Sequence, residues 1–222
     1  MKRAELLNKM IDTGVIAVIR AETPTKAVKV ADAVIAGGVT GLELTYSVPH
    51  ADTVIGELVD KYAGSAVVVG AGTVLDATSA RLAIIAGAQF IVSPTFDKDV
   101  ALMCNLYQVP YVPGTYTITE AQTALKFGSE VVKLFPGAMA GTMAIKEYHG
   151  PFPYLNVMPS GGVNVQNMED WFAAGAAVVG AGGGLTAPAA DDDFAGVTRN
   201  AKEYMDAVSY THLRAHETLM NL

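Results

Sequence analysis

Short apolar runs recur along the chain, each bounded by glycine, proline or a polar cluster: residues 15–19, 41–45, 66–70, 90–93, 111–114, 131–135, 155–158 and 177–180. Runs of this length between turn residues predict buried strands. Between them, apolar residues return at helical spacing over residues 25–36, 51–62, 77–86, 97–107, 118–127 and 164–174. The first residues, MKRAELLNKMIDTG, interleave charged and apolar positions. They predict a short amphipathic helix, because a signal peptide needs an uninterrupted apolar core.

Successive strand starts fall 20 to 26 residues apart, about one strand-plus-helix unit each. Eight such units predict an α/β fold in the form of a (β/α)8 TIM barrel with a short N-terminal helix, in preference to an open doubly wound sheet. The phrases IAGGVTGLEL, IAGAQFIVS and AAGAAVVGAG repeat one design, a helix that ends at a glycine and turns straight into the next strand. Residues 171–190 carry no charge and have the length of a membrane span, but they are crowded with glycine and contain Pro188. They read instead as a helix end, a buried strand and a glycine-rich loop. The pattern therefore predicts one barrel domain over residues 1–208. Residues 209–222, SYTHLRAHETLMNL, match none of the rhythm and form a candidate non-native tail, so His212 and His216 are not promoted to ligands.

Composition narrows the function. The 222 residues are 51% hydrophobic and 17% charged, enough to bury one large core. A net charge of -7 argues against nucleic acid as a partner, while leaving room for a local pocket that binds a small anion. The single cysteine, Cys104, excludes an intrachain disulfide and a cysteine-based zinc site, and it fits a reducing, cytoplasmic setting. No membrane association is expected.

Candidate chemistry sits inside the strands. Lys133 lies within VVKLF, where an ammonium is costly unless paired. The uncharged amine is the form that attacks a ketone, although a structural lysine in an ion pair fits the same position. Glu43 lies within GLELT, and alternation puts it on one face with Gly41 and Thr45. Strands two and six of an eight-stranded barrel face each other, so Glu43 and Lys133 are expected to meet across the interior. There the carboxylate either shuttles protons or merely neutralises the lysine. Three glycine-rich loops, GAGT (70–73), PSGG (159–162) and GAGGG (180–184), are expected on the catalytic face with amides available to an anion. Arg20 closes the first strand on that face, as a carboxylate clamp or an ordinary surface arginine. Asp191, Asp192 and Asp193 precede a helical segment and cap or solvate its start.

Taken together, GVIAVIR, AGGVTGLELT, VGAGTVLD, AGAQFIVSP, PYVPG, VVKLFPG and PSGGV resemble the 2-keto-3-deoxy-6-phosphogluconate (KDPG) and 4-hydroxy-2-oxoglutarate (KHG) aldolase family, in family order along the chain. The resemblance implies that Lys133 is the Schiff-base lysine, that Glu43 is the general acid/base, and that Thr73 helps hold the pyruvyl carboxylate. It places Ser160, Gly161 and Gly162 near the substrate and its phosphate, with amides around Gly182 and Gly183, and lets Pro94 and Pro113 shape the walls. The implied reaction is cleavage of 2-dehydro-3-deoxy-6-phosphogluconate to pyruvate and glyceraldehyde 3-phosphate, with 4-hydroxy-2-oxoglutarate as a further 2-oxo acid substrate. The resemblance further implies a homotrimer that needs neither metal nor cofactor.

Three departures stand out. Ser47 occupies a position where some relatives carry an arginine, which makes Arg20 the expected replacement at the substrate carboxylate; the frequent PTGG appears as PSGG, where Ser160 retains the hydroxyl; and GAGGG, ending at Gly184, lacks the serine that some relatives place near the phosphate. Two other readings remain open on the residues alone: a phosphate-binding barrel isomerase or epimerase using Glu43 for proton transfer, and a non-catalytic sugar-phosphate-binding protein.

Overall fold

The computed structural model describes residues 2–220, and the side chains of residues 2–209. Strands and helices alternate in the order α1 (Lys2–Asp12), β1 (Val15–Ile19), α2 (Pro24–Ala36), β2 (Gly41–Thr45), α3 (Ala51–Lys61), β3 (Val68–Gly72), α4 (Ala77–Ile85), β4 (Ile91–Val92), α5 (Lys98–Tyr107) and β5 (Tyr111–Val112). There follow β6 (Gly114–Thr115), α6 (Ile118–Lys126), β7 (Val131–Leu134), α7 (Gly137–Ala140), α8 (Met143–His149), β8 (Asn156–Pro159), α9 (Met168–Ala173), β9 (Val179–Ala181), α10 (Gly183–Thr186), a 3-10 turn (Ala187–Asp191) and α11 (Phe194–Met220).

Side-chain caps set the starts of α2, α4, α5 and α6. Thr23 accepts from the Lys26 amide ahead of α2, with Pro24 at the first helical turn, and Asp76 and Asp97 cap α4 and α5 in the same way. Thr117 and Glu120 complete a reciprocal capping box on α6. Asp193 accepts from the Gly196 amide at 2.8 Å, the capping role expected of the acidic run. The repeated helix-to-strand phrase also has a single backbone cause. Gly38, Gly87 and Gly175 stand at φ values of 99°, 100° and 107°, a conformation that side-chain-bearing residues rarely adopt.

All strand pairs are parallel, in one sheet ordered β5-β4-β3-β2-β1-β9 and a second ordered β6-β7-β8. Isolated parallel bridges at Val157↔Ala176 and Ser160↔Gly180 link the region of β8 to that of β9. The fold is thus α/β with a curled parallel sheet. Strands β1, β2 and β3 are buried along their whole length, as a parallel sheet covered by helices requires.

Alternation sorts the core into two clusters. An outer set, including Val15, Ala17, Ile19, Leu42 and Leu44, packs against the helices. An inner set comprises Ile16, Val68, Phe90, Val92, Val112, Val131, Met158 and Val178, with Met10 of α1 packed among them. Among the described residues, no helix is long and apolar enough to cross a membrane.

Several expectations need correction. The third strand runs from Val68 to Gly72, two residues later than its apolar run suggested, so Gly70, Ala71 and Gly72 of GAGT belong to a strand and only Thr73 lies beyond it. The fifth strand is interrupted at Pro113, which has no N–H to donate to the ladder. The sixth strand ends at Leu134, and the eighth begins at Val179. Residues 137–149 hold two short helices where none was expected, separated at Gly141 with φ 71°. The helix expected from residue 164 begins at Met168, after a turn over residues 165–167. In α11 the backbone runs helically from Phe194 to Met220 without a break at residue 208, while the side chains of His212 and His216 lie outside those described.

Cys104 lies fully buried in α5, and burial pushes its thiol up to about 12. Native protein in mildly alkaline buffer should therefore resist alkylation by iodoacetamide, whereas the unfolded chain should take one adduct. Intact mass reads the difference, and rapid native alkylation would contradict the placement.

Candidate active site

The interior changes character toward the ends of the strands that lead into the glycine-rich loops. Below, the inner positions carry no polar side chain; two residues further along the same faces come Val18, Glu43, Lys133, Ser160 and Gly180. Val18 pairs with Glu43 across β1 and β2, and Lys133 pairs with Gly114 and Met158 across β6, β7 and β8.

Glu43 and Lys133 meet: Lys133 Nζ stands 3.5 Å from Glu43 Oε1, with the two side chains 6% and 0% exposed. Neither carboxylate oxygen of Glu43 has a hydrogen-bond partner. The pair is therefore an ionic contact without a shared hydrogen bond, and both groups retain hydrogen-bonding capacity for a third species. The lysine is set by its backbone, whose N–H donates to Pro113 O at 2.8 Å, and its ammonium lies 5.2 Å from the centre of the Phe135 ring.

Glycines make room for the carboxylate. A Cβ at Gly72 would overlap Glu43 Oε1, and a Cβ at Gly70 would overlap the Phe90 ring. These two glycines on the interior face of β3 are thus space-makers within a strand rather than an anion-binding loop.

A cavity of about 310 Å³ opens beside Lys133. Its walls bring together Lys133, Arg20, Ser160, Gly161, Gly162, Gly182 and Gly183 from the expected set, and they add Val18, Phe135, Val163, Asn164 and Gly184. Arg20 is exposed at the mouth and pairs with no carboxylate among the described residues. The remaining expected residues do not line this cavity. Thr73 follows β3, half-buried and with φ 56°. Pro94 follows β4, and its carbonyl lies where a Cβ on Gly114 would stand. Pro113 contributes through its carbonyl to the Lys133 amide. Ser47 is exposed, its hydroxyl 2.6 Å from that of Thr45.

Phe135 was within reach of sequence reasoning, since alternation in VVKLF places it on the face of Lys133. Asn164 carried no comparable signal. Gly184 has a spatial cause, because a Cβ there would come within 2.8 Å of the Tyr204 hydroxyl.

Comparison with known proteins gives a consistent picture. A family model described as KDPG and KHG aldolase matches residues 6–200. The 2-dehydro-3-deoxy-phosphogluconate aldolase of Treponema pallidum is 35% identical over 198 residues, covering 87% of this chain and 93% of that protein. The KHG/KDPG aldolase of Escherichia coli is 31% identical, covering 89% of this chain and 93% of its own length. Among solved structures, KDPG aldolase from Legionella pneumophila, with pyruvate captured as a covalent carbinolamine, superposes with a TM-score of 0.81 at 27% identity, over 91% of this chain and 97% of that one.

Proposed function

Because the chain belongs to the KDPG and KHG aldolase family, we propose that it is a class I aldolase acting through Lys133 and Glu43 on 2-dehydro-3-deoxy-6-phosphogluconate, and on 4-hydroxy-2-oxoglutarate as a further substrate. As an aldolase it is a lyase. The observation that carries the residue assignment is the buried Lys133–Glu43 contact, whose lysine lines a cavity large enough for a small 2-oxo acid.

In this reading the uncharged Lys133 amine attacks the C2 ketone, and loss of water from the carbinolamine gives an iminium. Glu43 removes the C4 hydroxyl proton as the C3–C4 bond breaks. The bonding electrons flow into the iminium, leaving an enamine and releasing glyceraldehyde 3-phosphate. A proton returned to C3 restores the iminium, and one water hydrolyses it to pyruvate and free Lys133. The water lost in the first half is regained in the second, so no metal or redox partner enters the balance. The two free oxygens of Glu43 suit a group that accepts and returns a proton. The capture of pyruvate as a carbinolamine in the Legionella relative supports the same covalent chemistry.

The anionic ends of the substrate have separate supports. Ser160, Gly161, Gly162, Gly182 and Gly183 surround the phosphate, while Thr73 and Pro94 serve the pyruvyl end from beyond the cavity wall. Arg20 was expected at the carboxylate, but its neighbours across the cavity are the glycines of the last two loops, which favours a contact with the phosphate end. Closure of the strands into an eight-stranded barrel of residues 1–208 belongs to this reading. It is supported by the bridges near β8 and β9 and by the single-residue gap between β5 and β6. So does a cytoplasmic homotrimer, for which exposed Leu82, Ile85, Leu102 and Leu106 on α4 and α5 offer an apolar contact face.

Pyruvate release from both substrates, followed by coupled reduction to lactate, tests the function. Turnover should persist in EDTA, and Glu43→Gln should lower kcat at least about a hundredfold with little change in melting temperature. Near-normal turnover of that variant would remove Glu43 from the mechanism. For Arg20→Met, a raised KM confined to the phosphorylated substrate is expected; an equal loss with 4-hydroxy-2-oxoglutarate would return Arg20 to the carboxylate.

A further inference from the structure

The loop after β8 is almost fully bonded to the protein around it. The carbonyls of Ser160 and Gly161 accept from the amides of Gly137 and Ala138, both at 2.8 Å. The Gly162 carbonyl accepts from Asn167 Nδ2 at 2.9 Å and from Asn164 Nδ2 at 3.4 Å. The Val163 carbonyl accepts from the Tyr204 hydroxyl at 3.2 Å. The two asparagines also bind each other reciprocally, Asn164 N to Asn167 Oδ1 at 2.9 Å and Asn167 N to Asn164 Oδ1 at 3.0 Å. This reciprocal pair has the pattern of a capping box, and the Asn164 carbonyl also accepts from Met168 N at 3.0 Å, so the turn leads directly into α9.

Three donors in the loop stay free. Among the described residues, no acceptor meets the N–H of Gly161, Gly162 or Val163, and all three residues line the cavity beside Lys133. In a trans peptide the C=O and the following N–H point in opposite directions. Holding the Gly162 carbonyl toward the asparagines therefore turns the Val163 N–H the other way. Gly161 and Gly162, both at φ 85°, have little intrinsic preference for that orientation and need an external hold.

We infer that Asn167 is a positioning residue for phosphate recognition: its side-chain amide clamps the Gly162 carbonyl and thereby presents the Val163 N–H to an anion, beside the Gly161 and Gly162 N–H groups, whose peptides the Gly137 and Ala138 amides hold. The inference rests on the reading that the phosphorylated end of the substrate lies at this loop. Asn167 itself does not line the cavity, so it acts through the peptide it holds.

Two variants separate its bonds. Asn167→Ala removes both, whereas Asn167→Asp keeps the acceptor for the Asn164 amide and loses the donor to Gly162. Steady-state kinetics on 2-dehydro-3-deoxy-6-phosphogluconate and its unphosphorylated analogue, with melting curves, give the readout. Each variant should raise KM for the phosphorylated substrate about tenfold, the scale of one hydrogen bond, while kcat and KM for the unphosphorylated analogue stay at wild-type values. Equal losses on both substrates would show loop collapse and overturn the inference, as would an unchanged KM for the phosphorylated substrate. If the wild-type protein itself shows no preference for the phosphorylated substrate, the phosphate reading of the loop falls and this inference falls with it. A preference that is kept in both variants overturns the role of Asn167 alone.

Discussion

An ammonium and a carboxylate lie 3.5 Å apart in the interior, almost sealed from solvent, and the carboxylate has no other polar partner. Taking two such charges out of water costs more than their mutual attraction commonly returns, so the surrounding structure has to hold them there. Much of the local architecture reads as that support. The parallel sheet must curl far enough to bring β2 and β7 face to face, Gly72 must lack a side chain for the Glu43 carboxyl to fit, and Pro113 must offer its carbonyl to the Lys133 amide. The burial is intelligible as the holding of a nucleophile and a proton carrier side by side at the edge of the cavity that Lys133 lines.

The cavity beside the pair divides its polar groups by type. Side-chain charge is supplied by Lys133 and Arg20, while the last two loops supply backbone amides from glycines that let a ligand approach closely. Backbone amides are fixed donors only if their peptides are fixed. The bonding of the loop after β8 through Asn167, Tyr204 and the start of α7 meets that requirement without placing a further charge in the cavity. Gly184, which leaves room for Tyr204, is part of the same packing.

Sequence and structure agree most where one physical rule acts alone. Strands β1 and β2 have the boundaries that their apolar runs predict, and the helix-ending glycines have the positive φ that their repeated phrase implies. The pairing of Glu43 with Lys133 was legible because alternation and the opposition of strands two and six depend only on counting residues. Agreement fails where a residue serves a distant neighbour. Gly70 and Gly72 look like a loop in one dimension because the Phe90 ring and the Glu43 carboxyl that exclude side chains there come from elsewhere in the chain. The hold of Asn167 on Gly162 was hidden for a related reason, since the glycine-rich loop and the turn before α9 meet only in three dimensions.

The central claim is that Lys133 is the nucleophile. The most direct measurement incubates the protein with pyruvate, reduces it with borohydride, and locates the added mass by intact-mass analysis and peptide mapping. The account predicts one adduct, on the peptide that carries Lys133, and none in Lys133→Ala. An adduct on another lysine, or undiminished turnover in Lys133→Ala, would contradict it.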